Sequence, residues 1–206
     1  SDLDEQEVPR IKRQFKELEQ IQIALGFPMV GRAHEDIPAI KLLANILGGA
    51  MSSRLFIEVR ERRGLCYTIR AGADSYDDIG AFVVRAGLDA KRLDEAMTVI
   101  LNELKKVADS GVTDEELQYA KDNVEGSTKL GLENSSARAE FYGRQELFLR
   151  EIKTPEERIA KYNAVKQEDI QRVAKQVFNL KKMSIAAIGP YKTDEDLLSH
   201  FSALGL

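Results

Sequence analysis

Between Leu47 and Tyr67 the chain reads LGGAMSSRLFIEVRERRGLCY, and this stretch constrains the fold more than any other. The pair Gly48-Gly49 ends one helical pattern. The pair Ser52-Ser53 then offers side-chain oxygens to the free N–H groups of the next helix. That helix carries Leu55, Phe56 and Val59 on one face and stops near Gly64, after which a strand begins at Cys66. Arg60, in the last turn of the helix, and Tyr67, at the start of the strand, therefore flank a glycine that can fold both side chains to one side.

Upstream, Gln20 to Phe27 alternates polar and apolar residues and predicts a half-buried strand. Pro28 to Glu35 reads as a loop, and Asp36 as the cap of a helix in which Ile37, Ile40, Leu43, Ala44 and Leu47 recur at helical spacing. Downstream, strands are expected at Cys66–Ser75 and Ile79–Leu88, joined by the turn Tyr76-Asp77-Asp78. A long helix with a stripe from Leu93 to Ala108 follows. Thr113-Asp114-Glu115-Glu116 and Thr154-Pro155-Glu156-Glu157 are capping boxes that open two further helices, the first running to about Leu130. Helices are also expected over Ala137–Leu149 and Glu168–Phe178, and a last strand over Met183–Ile188 before a polar tail with a short apolar end. The first eighteen residues, charged and holding Pro9, read as a linker or an edge segment. Strands early and helices late give an α+β class, an antiparallel sheet with helices packed on one face, and residues 1–206 read as a single domain.

Composition narrows the function. A net charge of −4 gives no reason to expect a nucleic-acid partner. No run of apolar residues is long enough for a membrane span, and no signal peptide is visible. The single cysteine, Cys66, rules out an internal disulfide, and a cytoplasmic compartment is the expectation, with a periplasmic one left open. Ser1 at the start fits a processed terminus or a piece of a longer polypeptide. His34 and His200 are the only histidines, and no i, i+4 histidine pair begins a zinc site, so no metal ligand and no catalytic residue is assigned within this chain. Cys66 lacks a histidine partner in any nucleophile signature and reads as a packing residue.

A guanidinium and a phenol aimed at one point can hold a peptide carbonyl and favour the negative charge that develops there. The plainer reading is that Arg60 complements the helix C-terminus and Tyr67 packs at a strand edge. The stretch around them resembles the C-terminal half of the pitrilysin, insulinase and mitochondrial-processing-peptidase family of zinc peptidases, and the likeness extends less sharply from Gln20 to Met183. The resemblance implies a metallohydrolase half-domain of the processing-peptidase type and makes Arg60 and Tyr67 substrate-binding residues. It places the metal motif H-x-x-E-H, and with it the zinc, in a missing N-terminal half; where that half carries the motif, this chain reads Leu42-Leu43-Ala44-Asn45-Ile46, all packing residues. The function it implies is that of the non-metal-binding domain of a zinc metalloendopeptidase. Such a domain closes the cleavage chamber, contacts a peptide substrate and is inactive alone. Its partner is the N-terminal zinc-bearing half or a partner subunit, and the surface that meets that half could also pair two copies as a homodimer. The alternatives are a catalytically inactive structural or partner subunit of a peptidase-like heterodimer, and an unrelated protein-interaction domain.

Overall fold

Alternation decides the sheet. In β2 (Gln20–Val30) the side chains of Ile21, Ile23, Leu25, Phe27 and Met29 are buried on one face, while Gln22, Ala24 and Gly26 lie on the other. The structure is a computed structural model that describes residues 6–201. The hairpin partners are β3 (Cys66–Ser75) and β4 (Ile79–Asp89); β5 (Ser184–Gly189) lies on the other side of β2, and β1 (Arg10–Phe15) completes the sheet. The spatial order is β1-β5-β2-β4-β3. Every pairing is antiparallel except the edge pair β1 and β5, which is parallel.

The helices are α1 (Ile37–Gly48), α2 (Leu93–Ser110), α3 (Asp114–Gly131), α4 (Ser135–Leu149), α5 (Pro155–Asn163), α6 (Gln167–Val177) and α7 (Asp194–Ser199). Helices α1, α2 and α6 bury their apolar stripes with one face of the sheet in a shared core. Phe178, just past α6, meets Phe27 and Phe82 edge-on at 5.4 and 5.2 Å, which ties that helix to the middle strands. The opposite face of the sheet is a shallow open groove of about 750 Å³ lined by small residues such as Ala24, Gly72 and Ala186 and rimmed by Lys12, Arg70 and Arg85. The α+β class with helices on one face is as expected.

Several local expectations differ. Pro9 does not prevent a strand, because it lies just before β1 at the sheet edge, where a missing N–H breaks no ladder. Pro28 belongs to β2, not to a loop: β5 pairs only with Gln22–Gly26, so beyond Gly26 the strand has a partner on one side alone. Gly49, at the end of α1, has an ordinary right-handed backbone (φ −86°), so the glycine pair is not there to permit a left-handed turn. A Cβ on Gly48 would lie 2.2 Å from the backbone nitrogen of Ala71, so the residue is small because α1 presses directly on β3. The polar tail holds α7, capped by Thr193 accepting from the Asp196 N–H. The apolar end from Ser202 onward and the first five residues of the linker lie outside the described residues.

Candidate functional site

Two local irregularities build the corner between α1 and the hairpin. Phe56–Glu61 forms a π-helical turn, with the Arg62 N–H reaching back five residues to the Ile57 carbonyl at 2.9 Å. Gly64 then reverses the chain at φ +59°, a conformation that favours glycine. At the start of β3 the pairing slips: Cys66 faces Leu88 and Thr68 faces Gly87, which leaves Tyr67 as the extra residue of a β-bulge. The bulge breaks the alternation, so Tyr67 and Thr68 are both exposed between buried Cys66 and Ile69.

Arg60 projects from the π-turn, exposed, with its guanidinium carbon 4.8 Å from the centre of the Phe56 ring. Its neighbours take the local acid: Glu58 accepts from Arg62 at 2.5 Å and from Arg63 at 2.6 Å, and the Arg63 hydrogen bond holds that carboxyl below its usual range. Tyr67 is 59% exposed. Among the described residues neither the Arg60 nor the Tyr67 side chain has an ion-pair or hydrogen-bond partner, and the two do not bond to each other. Both are uncommitted groups on the outside of one corner. Burial pushes the Cys66 thiol up to about 11, against the pull of the nearby Arg60 charge, so this sulfur is a protonated packing group.

The corner is braced from a distance. Arg54 donates from Nε and an Nη to the two oxygens of Glu116, at 2.5 and 2.7 Å, and also approaches the Gly111 carbonyl at 3.3 Å. Glu116 meanwhile completes the capping box of α3, accepting from the Thr113 N–H at 2.8 Å. The capping box is legible in the sequence; the bond to Arg54, sixty-two residues away, is not. Neither serine of the pair caps a helix by its side chain: the Ser53 hydroxyl donates back to the Ala50 carbonyl at 2.6 Å. Asp36 caps nothing with its side chain either, since its two oxygens accept from Arg172 on α6 at 2.6 and 2.9 Å. That guanidinium holds the Asp36 carboxyl below its usual range.

No group of three or more His, Cys, Asp or Glu side chains among the described residues is placed to hold a metal ion. On α1, Asn45 is not a packing residue: its Nδ2 donates to Asn123 Oδ1 on α3 at 2.8 Å. No described helix is long and apolar enough to cross a membrane.

With this geometry in view, the family described as the peptidase M16 inactive domain matches residues 2–124, more than half of the chain. The chain belongs to that family. Among its curated relatives, an uncharacterized zinc protease of Streptomyces coelicolor is 36% identical over 183 residues, which cover 89% of this chain and 40% of that protein. One of Bacillus subtilis is 37% identical over 175 residues, covering 85% and 42%. This M16 domain thus spans about two fifths of the length of these relatives. A crystal structure of a peptidase M16 inactive domain from Pseudomonas fluorescens has the same fold, with a TM-score of 0.81 and 23% identity over 89% of this chain and 44% of that one. A chain of Complex III2 from Candida albicans does too, at 0.82 and 20% identity over 96% and 49%.

Proposed function

We propose that this M16 domain is the half of a zinc metalloendopeptidase that holds substrate, and that Arg60 and Tyr67 grip the peptide backbone. The observation that carries this reading is the corner itself. A π-turn and a β-bulge, two departures from regular structure that recur at functional sites, leave two polar side chains uncommitted in the open on either side of Gly64. In this reading an N-terminal half or a partner subunit bearing the zinc closes against this domain around a chamber. Zinc held there would supply an activated water. The Arg60 guanidinium donates to the carbonyl oxygen under attack and holds it more strongly as charge develops there. The Tyr67 hydroxyl donates to a neighbouring carbonyl. Among the described residues, strand β3 ends the sheet with one edge unpaired, which offers backbone pairing to an extended peptide beginning at Tyr67.

The test uses the full-length polypeptide. Arg60→Ala should lower kcat/KM by about 100-fold with zinc content unchanged, the scale on which one positioned donor acts. Arg60→Lys should recover only part, because a lysine keeps the charge without the planar fork. Unaltered kinetics in Arg60→Ala would sink the role. A purified full-length polypeptide without zinc or peptidase activity would instead make this domain a structural or partner subunit. An immunoblot of source cells separates the two arrangements of the parent: a band near twice 23.1 kDa means joined halves, and one near 23.1 kDa a separate subunit.

A further inference from the structure

At the opposite end of β3 from Tyr67, the strand runs into a cavity of about 720 Å³ roofed by α4. Helix α4 is an unusual roof, because its one buried side chain is the polar Gln145, whose amide spans to the Lys153 backbone at 3.1 Å from both its nitrogen and its oxygen. Apolar rings and chains from Ile37, Phe141, Phe148 and Ile159 form much of the wall. The charges in it are predominantly positive. Arg32 is paired with Asp77 at 2.9 Å and Arg144 with Glu140 at 3.6 Å, while Asp74 is engaged by Arg85 at 3.2 Å. Lys41 and Arg158 are left without a carboxylate among the described residues. Lys41 comes from α1 and is largely enclosed, and both burial and the Arg158 charge depress its basicity. Two hydroxyls share the cavity: the Ser75 Oγ, buried with no partner among the described residues, and that of Tyr162, which accepts from Arg158 one turn before it on α5, where the guanidinium also lies over the Phe141 ring at 5.1 Å.

Two cations near enough to feel each other's charge, neither paired with a carboxylate among the described residues, in a cavity that also holds an unsatisfied hydroxyl, cost stability unless an anion joins them. An apolar wall around them suits a ligand with a carboxylate on an apolar body. We propose that this cavity binds the C-terminal residue of a peptide, its carboxylate held between Lys41 and Arg158 with hydrogen bonds from Ser75 and Tyr162. The inference rests on the peptide-handling reading above and deepens it. A peptide paired along the free edge of β3 from Tyr67 would span eight residues, roughly 26 Å, before reaching Ser75. The cavity would thus favour an apolar last residue and place the grip at Arg60 several residues before it.

Calorimetric titration of the 206-residue chain tests this without any cleavage, so its failure leaves the Arg60 kinetics to stand or fall separately. The probes are a ten-residue peptide ending in leucine with a free carboxylate, the same peptide as its C-terminal amide, and decanoate. The free acid should bind, and the amide should bind at least tenfold more weakly. Lys41→Met and Arg158→Gln should each lose tenfold or more, and Ser75→Ala, which removes one hydroxyl and keeps the fold, should weaken binding severalfold. Equal binding of acid and amide, no binding of either, or an unaffected Ser75→Ala and Lys41→Met would overturn the proposal. So would decanoate binding more tightly than the peptide, since the site would then serve fatty acids.

Discussion

The two ends of β3 present charge in opposite ways. At the Tyr67 end, irregular backbone pushes Arg60 and Tyr67 outward, and the local carboxylate is taken by neighbouring arginines, so the uncommitted groups face solvent. At the Ser75 end the backbone is regular, and two cations that lack a carboxylate partner among the described residues, Lys41 and Arg158, line the cavity beneath α4. An exposed guanidinium costs little to leave unpaired, whereas an enclosed lysine is costly without a partner. A charge is informative in proportion to its enclosure: the outer pair needs its irregular setting to be read as a site, while for the inner pair enclosure alone gives an anion something to relieve.

Substitutions in the middle of β3 and near each of its ends tell the two apart. Gly48→Ala should do the most damage, because it drives a methyl into the Ala71 backbone midway along β3. A loss of about 3 kcal/mol is expected in urea unfolding, the upper range for overpacking, and both ends should loosen together. A loss below about 1 kcal/mol would mean that α1 and β3 slide apart freely.

Next comes Cys66 at the outer end. With its thiol at about 11, alkylation by iodoacetamide at pH 8 should run about 100-fold slower than for a free thiol and should climb through pH 10. The linked stability is present below pH 9, where the thiol is protonated folded and unfolded alike, and is lost as pH rises towards 11. A fast reaction at pH 8 would place the bulge in open exchange.

Asp36→Asn acts near the inner end and should cost about 2 kcal/mol by removing the charge from a two-bond contact with Arg172. The unsubstituted protein should lose this contribution as pH falls below about 4, through the depressed titration of Asp36, and the variant should lack that step in its pH profile. Smallest is Gly64→Ala. Space is open around that residue, so only the left-handed backbone resists, at about 1 kcal/mol.

How far the sequence carried the fold follows from distance along the chain. Both threonine capping boxes, the hairpin around Asp77 and the stripe of α2 depend on residues within a few positions, and each stands where the pattern places it. Asp36, Ser53 and Asn45 defeat the same reasoning. Each could bond to its own neighbours, and Asp36 and Asn45 instead meet partners 136 and 78 residues away. The corner at Arg60 was visible because its parts are contiguous, although neither the π-turn nor the bulge has a spelling of its own. The inner cavity was invisible because Lys41, Ser75, Arg158 and Tyr162 come from three separate elements.

The double duty of Glu116 constrains how the domain can evolve. One carboxylate sets both where α3 starts and how the Arg60 turn is propped. A substitution there cannot tune the helix without also tilting the corner, so the surface loop at Thr113 and the proposed grip on substrate are bound to drift as one unit.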